Sequence, residues 1–404
     1  MSGRPANGMW TSACLQVYDC AQRLVTHATG RAMDEQREEI EQMRTSTRDL
    51  DELHERVRSW LTGHLGRPVT VSRLSHPSGN GMSSETLIFD ASWDSAEGRQ
   101  DVECVARMAP ASEAVPVFPS YDLGRQFEVM RMVRERAGVL APRTLWFEPD
   151  PEPLGTPFFV MERLTGDVPP DVAPYTFEGW LLEASRSDRD RLQRQSVGIL
   201  AKLHDAPFTA EELRTVESGG PGDSALRRHV NDQRDYYEWA HGSMRIPVLE
   251  KAFEWLEEHW PADPGPDVLS WGDARIGNVM YRDFTPVAVL DWEMACAGPR
   301  ELDIAWMIFL HRFFQDIAEV FELPGLPDFM RREDVCRIYQ EITGYEPRDM
   351  EFYEMYAALR HGIIMARVWH RRIHFGEQTM PDDPDDLVIH RAAIERMLDG
   401  SHWR

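Results

Sequence analysis

The chain has 404 residues, enough for two or three packed units, and its 42% apolar, 10% aromatic and 28% charged content excludes both a staple-dependent mini-protein and global disorder. Its 68 acidic against 44 basic residues leave a formal charge of −24, which repels a phosphate backbone and argues against nucleic acid as a partner. The five scattered cysteines (Cys14, Cys20, Cys104, Cys296, Cys336) offer neither a disulfide framework nor a Cys-x-x-Cys zinc ribbon, no apolar run approaches roughly eighteen residues, and the first residues lack an export signal. These features lead to the expectation of a cytoplasmic protein with no membrane association; they specify no oligomeric state.

Residues 1–48 alternate polar clusters with short helical patches and read as an extension without assigned chemistry. At Asp49 a helix begins, with Glu52 as a capping-box partner and Leu50, Leu53, Val57, Trp60 and Leu61 at helical spacing to an end near Gly63 or Gly66. After Pro68 the period changes to two, predicting an antiparallel meander of strands at 69–74, 86–93 and 102–108, with a Gly/Ser-rich loop at 76–84. A helix at about 123–136, with Phe127, Met130 and Val133 inward, precedes strands at 144–148 and 157–164. Five strands and one inserted helix thus form a small lobe, 49–165. The remainder, 166–404, is mainly helical, with helices at 190–204, 225–240, 248–260, 301–314, 334–341, 350–375 and 387–398 and short strands only at 268–270, 279–282 and 287–290.

The densest chemical signal is Trp271-Gly272-Asp273-Ala274-Arg275-Ile276-Gly277-Asn278, a loop between two short strands, followed by Asp291 at the end of the next apolar strand. Phosphoryl transfer requires such a set: one carboxylate to accept or orient a hydroxyl, and an amide oxygen with a second carboxylate to hold Mg²⁺ against nucleotide phosphates. Asp-x-x-x-x-Asn is the catalytic-loop spacing of protein kinases, and a hairpin over the gap brings Asp291 back beside Asn278. On these residues the chain resembles the aminoglycoside phosphotransferase family, whose protein-kinase-like members include aminoglycoside, choline and macrolide kinases, and its bacterial, largely actinobacterial, phosphotransferase-like branch in particular. The resemblance spans roughly residues 65–375. It implies an α+β, two-lobed kinase-like fold, with an antiparallel-sheet N-lobe carrying one helix and a large helical C-lobe. It also implies Asp273 as the catalytic acid/base residue, Asn278 and Asp291 as magnesium ligands, and Asp303 as the buried carboxylate bracing the loop. Where the family carries His, this chain has Trp271, so the brace is expected to come from packing instead of a hydrogen bond. Arg275 falls where kinases of this loop type carry a Lys that meets the transferring phosphoryl group, and its donors suit that charge.

The small lobe supplies the nucleotide half of this reading. Gly79-Asn80-Gly81-Met82-Ser83-Ser84 lies between two strands, as a phosphate-covering loop must, and lacks the Lys-Ser/Thr of a P-loop. In Val105-Ala106-Arg107-Met108, Arg107 replaces the kinase Lys as the cation for the phosphates. The family's Glu partner falls on Gln126, so the ion pair is expected to become an Arg107–Gln126 hydrogen bond. Glu162 to Leu164 form the expected hinge, whose backbone would meet a purine. His370 and His374, four apart, and the acidic run at 382–386 are read as structural and not as metal sites. The resulting expectation is a kinase that moves the γ-phosphoryl group of MgATP, with GTP as an alternative donor, to a hydroxyl of a small molecule. The alternative, suggested by Trp271, Arg107 and Gln126, is a kinase-shaped nucleotide-binding module without turnover.

Overall fold

In the computed structural model the described residues are 48–77, 84–110, 115–171, 173–242 and 244–403. Nearly all of the expected N-terminal extension, and Gly79, Asn80, Gly81 and Ser83 of the candidate phosphate loop, lie outside them.

Helix α1 (Leu50–Leu65) starts where Asp49 accepts the N–H groups of Asp51 and Glu52 and stops where Gly66 turns left-handed. Glu52 turns to Arg56 at 3.4 Å, so only the Asp49 half of the capping box forms. The buried face of α1, Leu53, Val57 and Leu61, lies against a five-stranded sheet in the order β1-β2-β3-β5-β4. Its strands are β1 (Thr70–Val71), β2 (Glu85–Ser95), β3 (Gly98–Met108), β4 (Thr144–Glu148) and β5 (Phe158–Glu162), all paired antiparallel. β1 is shorter than its apolar run suggested. The alternation along β5 shows how the sheet is used: Phe158 and Val160 enter the small core under α1, while Phe159 and Met161 enter the large core on the other face. Helix α2 (Leu123–Met132), continued by a π turn at Val133–Ala137, covers that second face with Leu123, Val129, Met130 and Val133. The small lobe therefore shares its inner core with the helical part.

That part contains α3 (Arg186–His204), α4 (Ala225–Ala240), α5 (Pro247–Glu258), α6 (Glu301–Val320), α7 (Arg332–Thr343), α8 (Met350–His374) and α9 (Arg391–Leu398), with α6 and α5 packed on α8 and α7 on α3. α6 runs six residues past its expected end, because its apolar face continues through Ala318. Two short ladders interrupt the helices. β6 (Val268–Ser270) pairs with β9 (Cys296–Gly298), a strand too short for its sequence to announce, and β7 (Val279–Arg282) pairs with β8 (Thr285–Val289). Among the described residues no helix is long and apolar enough to cross a membrane.

Candidate active site

The loop 271–278 joins β6 to β7, and its shape is dictated by one buried carboxylate. Asp303, near the start of α6, accepts the Ser270 hydroxyl at 2.7 Å, the backbone N–H groups of Trp271 and Gly272 at 2.7 and 2.8 Å, and His204 Nε2 at 3.1 Å. Burial alone would raise its pKa; the His204 bond and charge, with the Ser270 and Gly272 donors, outweigh that and hold the carboxyl below its ordinary value. Gly272 has φ +88°, and a Cβ there would stand 2.0 Å from the Met294 carbonyl oxygen, so this position admits only glycine.

Trp271 corrects an expectation. Its ring is fully buried, but packing is not its only contribution: the indole N–H donates to the carbonyls of both Leu290 and Asp291 at 2.9 Å. The loop is thus hydrogen-bonded to the turn that carries Asp291, whose φ of 58° is a left-handed value unusual for a side-chain-bearing residue. The β7–β8 hairpin closes the same arrangement, since Leu290 N–H donates to Asn278 O at 2.8 Å.

Asp273 stands at the centre. One carboxylate oxygen accepts Trp306 Nε1 at 2.7 Å; the other accepts Asn278 Nδ2 at 2.6 Å and Arg275 Nε at 3.2 Å. Because the Asn278 amide nitrogen faces a carboxylate, its oxygen must point the other way, free for a cation. Arg275 bridges to Asp171 at 2.5 Å; burial opposes its charge, and Asp273 and Asp171 restore it and raise its pKa. Behind Trp306 lies Arg360, 2% exposed, its guanidinium 4.5 Å from the indole centroid and its Nη2 donating to Gly272 O at 3.2 Å. Trp306, Arg360 and Asp171 were not identified as site residues from the sequence: apart from a core-like stripe through Trp306, nothing local marks them, and each meets the loop across 33 or more residues of chain.

On the opposite wall Arg107 reaches from β3 to Asp291 Oδ1 at 3.3 Å and Glu293 Oε2 at 3.5 Å. This replaces the expected Arg107–Gln126 hydrogen bond: Gln126 is buried in α2 and makes no bond to Arg107, while Glu128 pairs with Arg131 on the surface. α2 is tied to the site by another route, Arg125 Nη2 donating to Ala295 O at 2.5 Å and Val216 O at 3.0 Å. In the hinge segment the N–H groups of Glu162 and Arg163 are bound to the carbonyls of Arg143 and Glu103, which leaves the backbone of Leu164 as the candidate for a base. Ser84, where the Gly/Ser loop enters β2, is buried with its hydroxyl unpartnered.

The model of the phosphotransferase enzyme family (APH) matches residues 96–328, more than half of the chain. The chain belongs to this family. Among curated proteins it is similar to acyl-CoA dehydrogenase family member 10 of Mus musculus, 26% identical over 335 residues that make up 80% of this chain and 28% of the relative. The chain spans about a third of the length of the first such relatives. Of solved structures, a proposed aminoglycoside phosphotransferase of Ralstonia eutropha superposes with TM-score 0.60 at 18% identity, covering 86% of this chain and 98% of that one. A thermostable variant of aminoglycoside phosphotransferase APH(4)-Ia, solved with ADP and hygromycin B, gives 0.51 at 16% identity, with coverage of 85% and 98%. At these identities the superpositions establish the two-lobed kinase-like fold of the family, as the sequence motifs implied.

Proposed function

We propose that the protein is a small-molecule kinase that transfers the γ-phosphoryl group of ATP, or of GTP as an alternative donor, to a hydroxyl of an acceptor. The observation that carries this reading is the convergence of Asp273, Asn278 and Asp291, with Arg107 facing them from the sheet. In this reading residues 49–165 form the nucleotide-binding lobe and 166–404 carry the catalytic loop, metal ligands and acceptor pocket. The Gly79–Ser84 loop covers the phosphates, and the hinge at Glu162 to Leu164 meets the base. Gln126 is a buried support of α2 and not a partner of the phosphate cation.

The metal ligands fit their ion by chemistry. Among the described residues no group of three or more His, Cys, Asp or Glu could hold a metal alone. An Asn oxygen and an Asp carboxylate, completed by phosphate oxygens and water, form the hard, incomplete donor set that suits Mg²⁺. When bound there, Mg²⁺ supplies charge neutralisation for the nucleotide phosphates. Asp273 receives the acceptor's hydroxyl and takes its proton. Three donors fix the position of this carboxylate, so it orients the nucleophile, and it takes the proton late, as the loose transition state of phosphoryl transfer allows. Arg275 sets a fork of donors beside Asp273 for the equatorial oxygens, and Arg107 exchanges its carboxylate partners for phosphate.

The acceptor is a weakly charged compound and not a polycationic aminoglycoside. Every acid placed near the cleft already serves another group: Asp291 and Glu293 meet Arg107, Asp171 meets Arg275, Asp303 holds the loop, and Glu301 accepts Tyr345 and the Arg348 N–H. Among these described acids none stands unpartnered, and the exchange of Arg107 onto phosphate releases too few carboxylates to gather several ammonium groups. The test is ATP consumption against a panel of hydroxyl compounds and a metabolite extract, read by mass spectrometry for one added phosphoryl group. A single neutral acceptor with kcat/KM above about 10⁴ M⁻¹s⁻¹ is expected. Kanamycin- or gentamicin-type acceptors at that efficiency would overturn the acceptor class. MgATP binding without turnover of any acceptor would restore the binding-module reading.

A further inference from the structure

One pair of side chains near the catalytic loop takes no part in the chemistry above. His361 on α8 and His390, which caps α9, face each other through their Nδ1 atoms at 3.3 Å, both buried. Two imidazole nitrogens can share a hydrogen bond only if one carries the proton, and the surroundings decide which. His390 Nε2 lies 2.8 Å from the carbonyl oxygen of Ala358, an atom that only accepts, so this nitrogen bears the hydrogen. Neutral His390 then has a bare Nδ1, which must accept; His361 Nδ1 donates to it, and the proton of neutral His361 is used up. His361 Nε2 is left as a pure acceptor, and it bonds to no described residue.

Burial holds both rings neutral: it lowers His390 to about 4, and with the charge of Arg275 beyond it drives His361 well below 6.5. The position is also informative. The His361 ring meets Trp306, the residue whose indole holds Asp273, edge-on at 6.3 Å, and Phe313 and Phe309 at 4.6 and 5.7 Å. Along α8 the same stripe continues through Ile364, Met365 and Val368, apolar and each half-buried, so the face becomes more exposed with distance from His361. A lone acceptor atom amid aromatic rings, one ring from the catalytic carboxylate, is a discriminating contact: an occupant that cannot donate leaves it unsatisfied.

We propose that His361 Nε2 receives a hydrogen bond from the acceptor molecule, selecting a compound with a hydroxyl on an apolar skeleton, and that His390 is the positioning residue that fixes the tautomer through Ala358 O. The inference rests on the kinase reading for the identity of the occupant, not for the tautomer. Protein labelled with ¹⁵N-histidine, read at pH 7 by two-bond ¹H–¹⁵N correlation, is expected to show His390 protonated at Nε2 and His361 at Nδ1 only. His361 protonated at Nε2 would overturn the proposal outright. His390→Leu should let His361 populate both tautomers, which a purely space-filling role for His390 would not produce.

Benzyl alcohol titrated to tens of millimolar should move the His361 Nε2 resonance upfield, the direction for a nitrogen that gains a donor; an unmoved resonance counts against the site. With the acceptor found by the panel, His361→Leu should raise acceptor KM about tenfold and leave ATP KM alone, while His361→Gln, which keeps an oxygen near the Nε2 position, recovers most of the loss. Equal KM for all three proteins, or a joint change in both KM values, refutes the contact. Absence of MgATP binding would instead defeat the kinase reading, with the tautomer and benzyl alcohol results still standing on their own.

Discussion

The two walls of the cleft differ in how firmly they hold their charges. On the C-terminal wall Asp273 takes three donors within 3.2 Å and Asp303 takes four within 3.1 Å. On the N-terminal wall Arg107 makes one contact at 3.3 Å and another at 3.5 Å, both to carboxylates of the opposite wall. The first set is complete without a ligand, which is the preorganisation that catalytic electrostatics requires. The second is a provisional arrangement: the cation now neutralises the carboxylate proposed to hold the metal, so entry of nucleotide must rearrange it. Rigid chemistry on one wall and an exchangeable partner on the other is the difference that substitutions can probe.

The largest effect should come from Asp273→Asn. The amide keeps the shape but cannot take a proton, so turnover with any working acceptor should fall about 10²- to 10⁴-fold. MgATP should still raise the thermal midpoint, because the opposite wall is untouched. Turnover equal to that of the unmodified protein would show that the base has been misassigned.

Asp303→Ala probes the same wall through stability. Removing a buried acceptor strands the Ser270 hydroxyl, two backbone N–H groups and His204 at once, which should cost about 3–5 kcal/mol in denaturant unfolding. Asp291→Ala, on the edge of the cleft, should cost about 1 kcal/mol or less while weakening the magnesium-dependent part of the nucleotide shift. Similar losses for the two substitutions would remove the distinction between the rigid set around Asp303 and the exchangeable Arg107–Asp291 pair.

This asymmetry also explains what the sequence could reveal. The order of elements and the loop were legible because they depend on short-range spacing: the strand at Val268–Ser270, the tight turn at Gly272, and a hairpin that returns Leu290 to Asn278; Asp303 as the brace came with the family resemblance, since it meets the loop across 31 to 33 residues. Partners chosen in three dimensions were not. The family pattern pointed Arg107 toward Gln126, yet the guanidinium turns across the cleft, where two carboxylates offer charge that an amide cannot. Trp271 was read as packing because it lacks an acceptor, but the structure needed its donor, for two carbonyls 19 and 20 residues on. The strand Cys296–Gly298, too short to carry a period, escaped for the same reason.

Acid should separate the core from the cleft. Burial lowers His390 and His311 to about 4 from an ordinary 6.5. Their folded pKa values lie below the unfolded ones, so the folded state binds fewer protons between those limits, and stability falls as pH drops from about 6.5 to about 4. Each histidine contributes at most about 3 kcal/mol to that loss. Above pH 6.5 neither matters. Denaturation midpoints should therefore be flat from pH 7 to 8 and decline below 6.5, with His229, His361, His370 and His402, also lowered by burial, adding to the loss, and His390→Leu should remove only its own share of the slope if it folds as the parent does. An unchanged slope in that variant would assign the acid sensitivity elsewhere.

The smallest effect is expected at Arg107, and it bears most directly on the exchangeable wall. Its side chain is 15% exposed and its contacts are long, so Arg107→Met should change stability by about 1 kcal/mol at most, a figure reduced by the water that still reaches the pair. Its consequence belongs to nucleotide binding. A Lys at this position keeps the charge but loses the fork, so Arg107→Lys should raise ATP KM a few-fold with kcat nearly unchanged, whereas Arg107→Met should raise it by about tenfold or more. The variants also separate two accounts of the Asp291 contact. If the Arg107 cation competes with the metal for Asp291, Arg107→Met frees that carboxylate, and magnesium alone should then bind more tightly than to the parent protein, visible as a magnesium-dependent rise in thermal midpoint without ATP. If the contact and the metal can share Asp291, magnesium affinity stays as it was and only the phosphate contact is lost. A kcat that falls in step with KM would place Arg107 on the rigid wall after all.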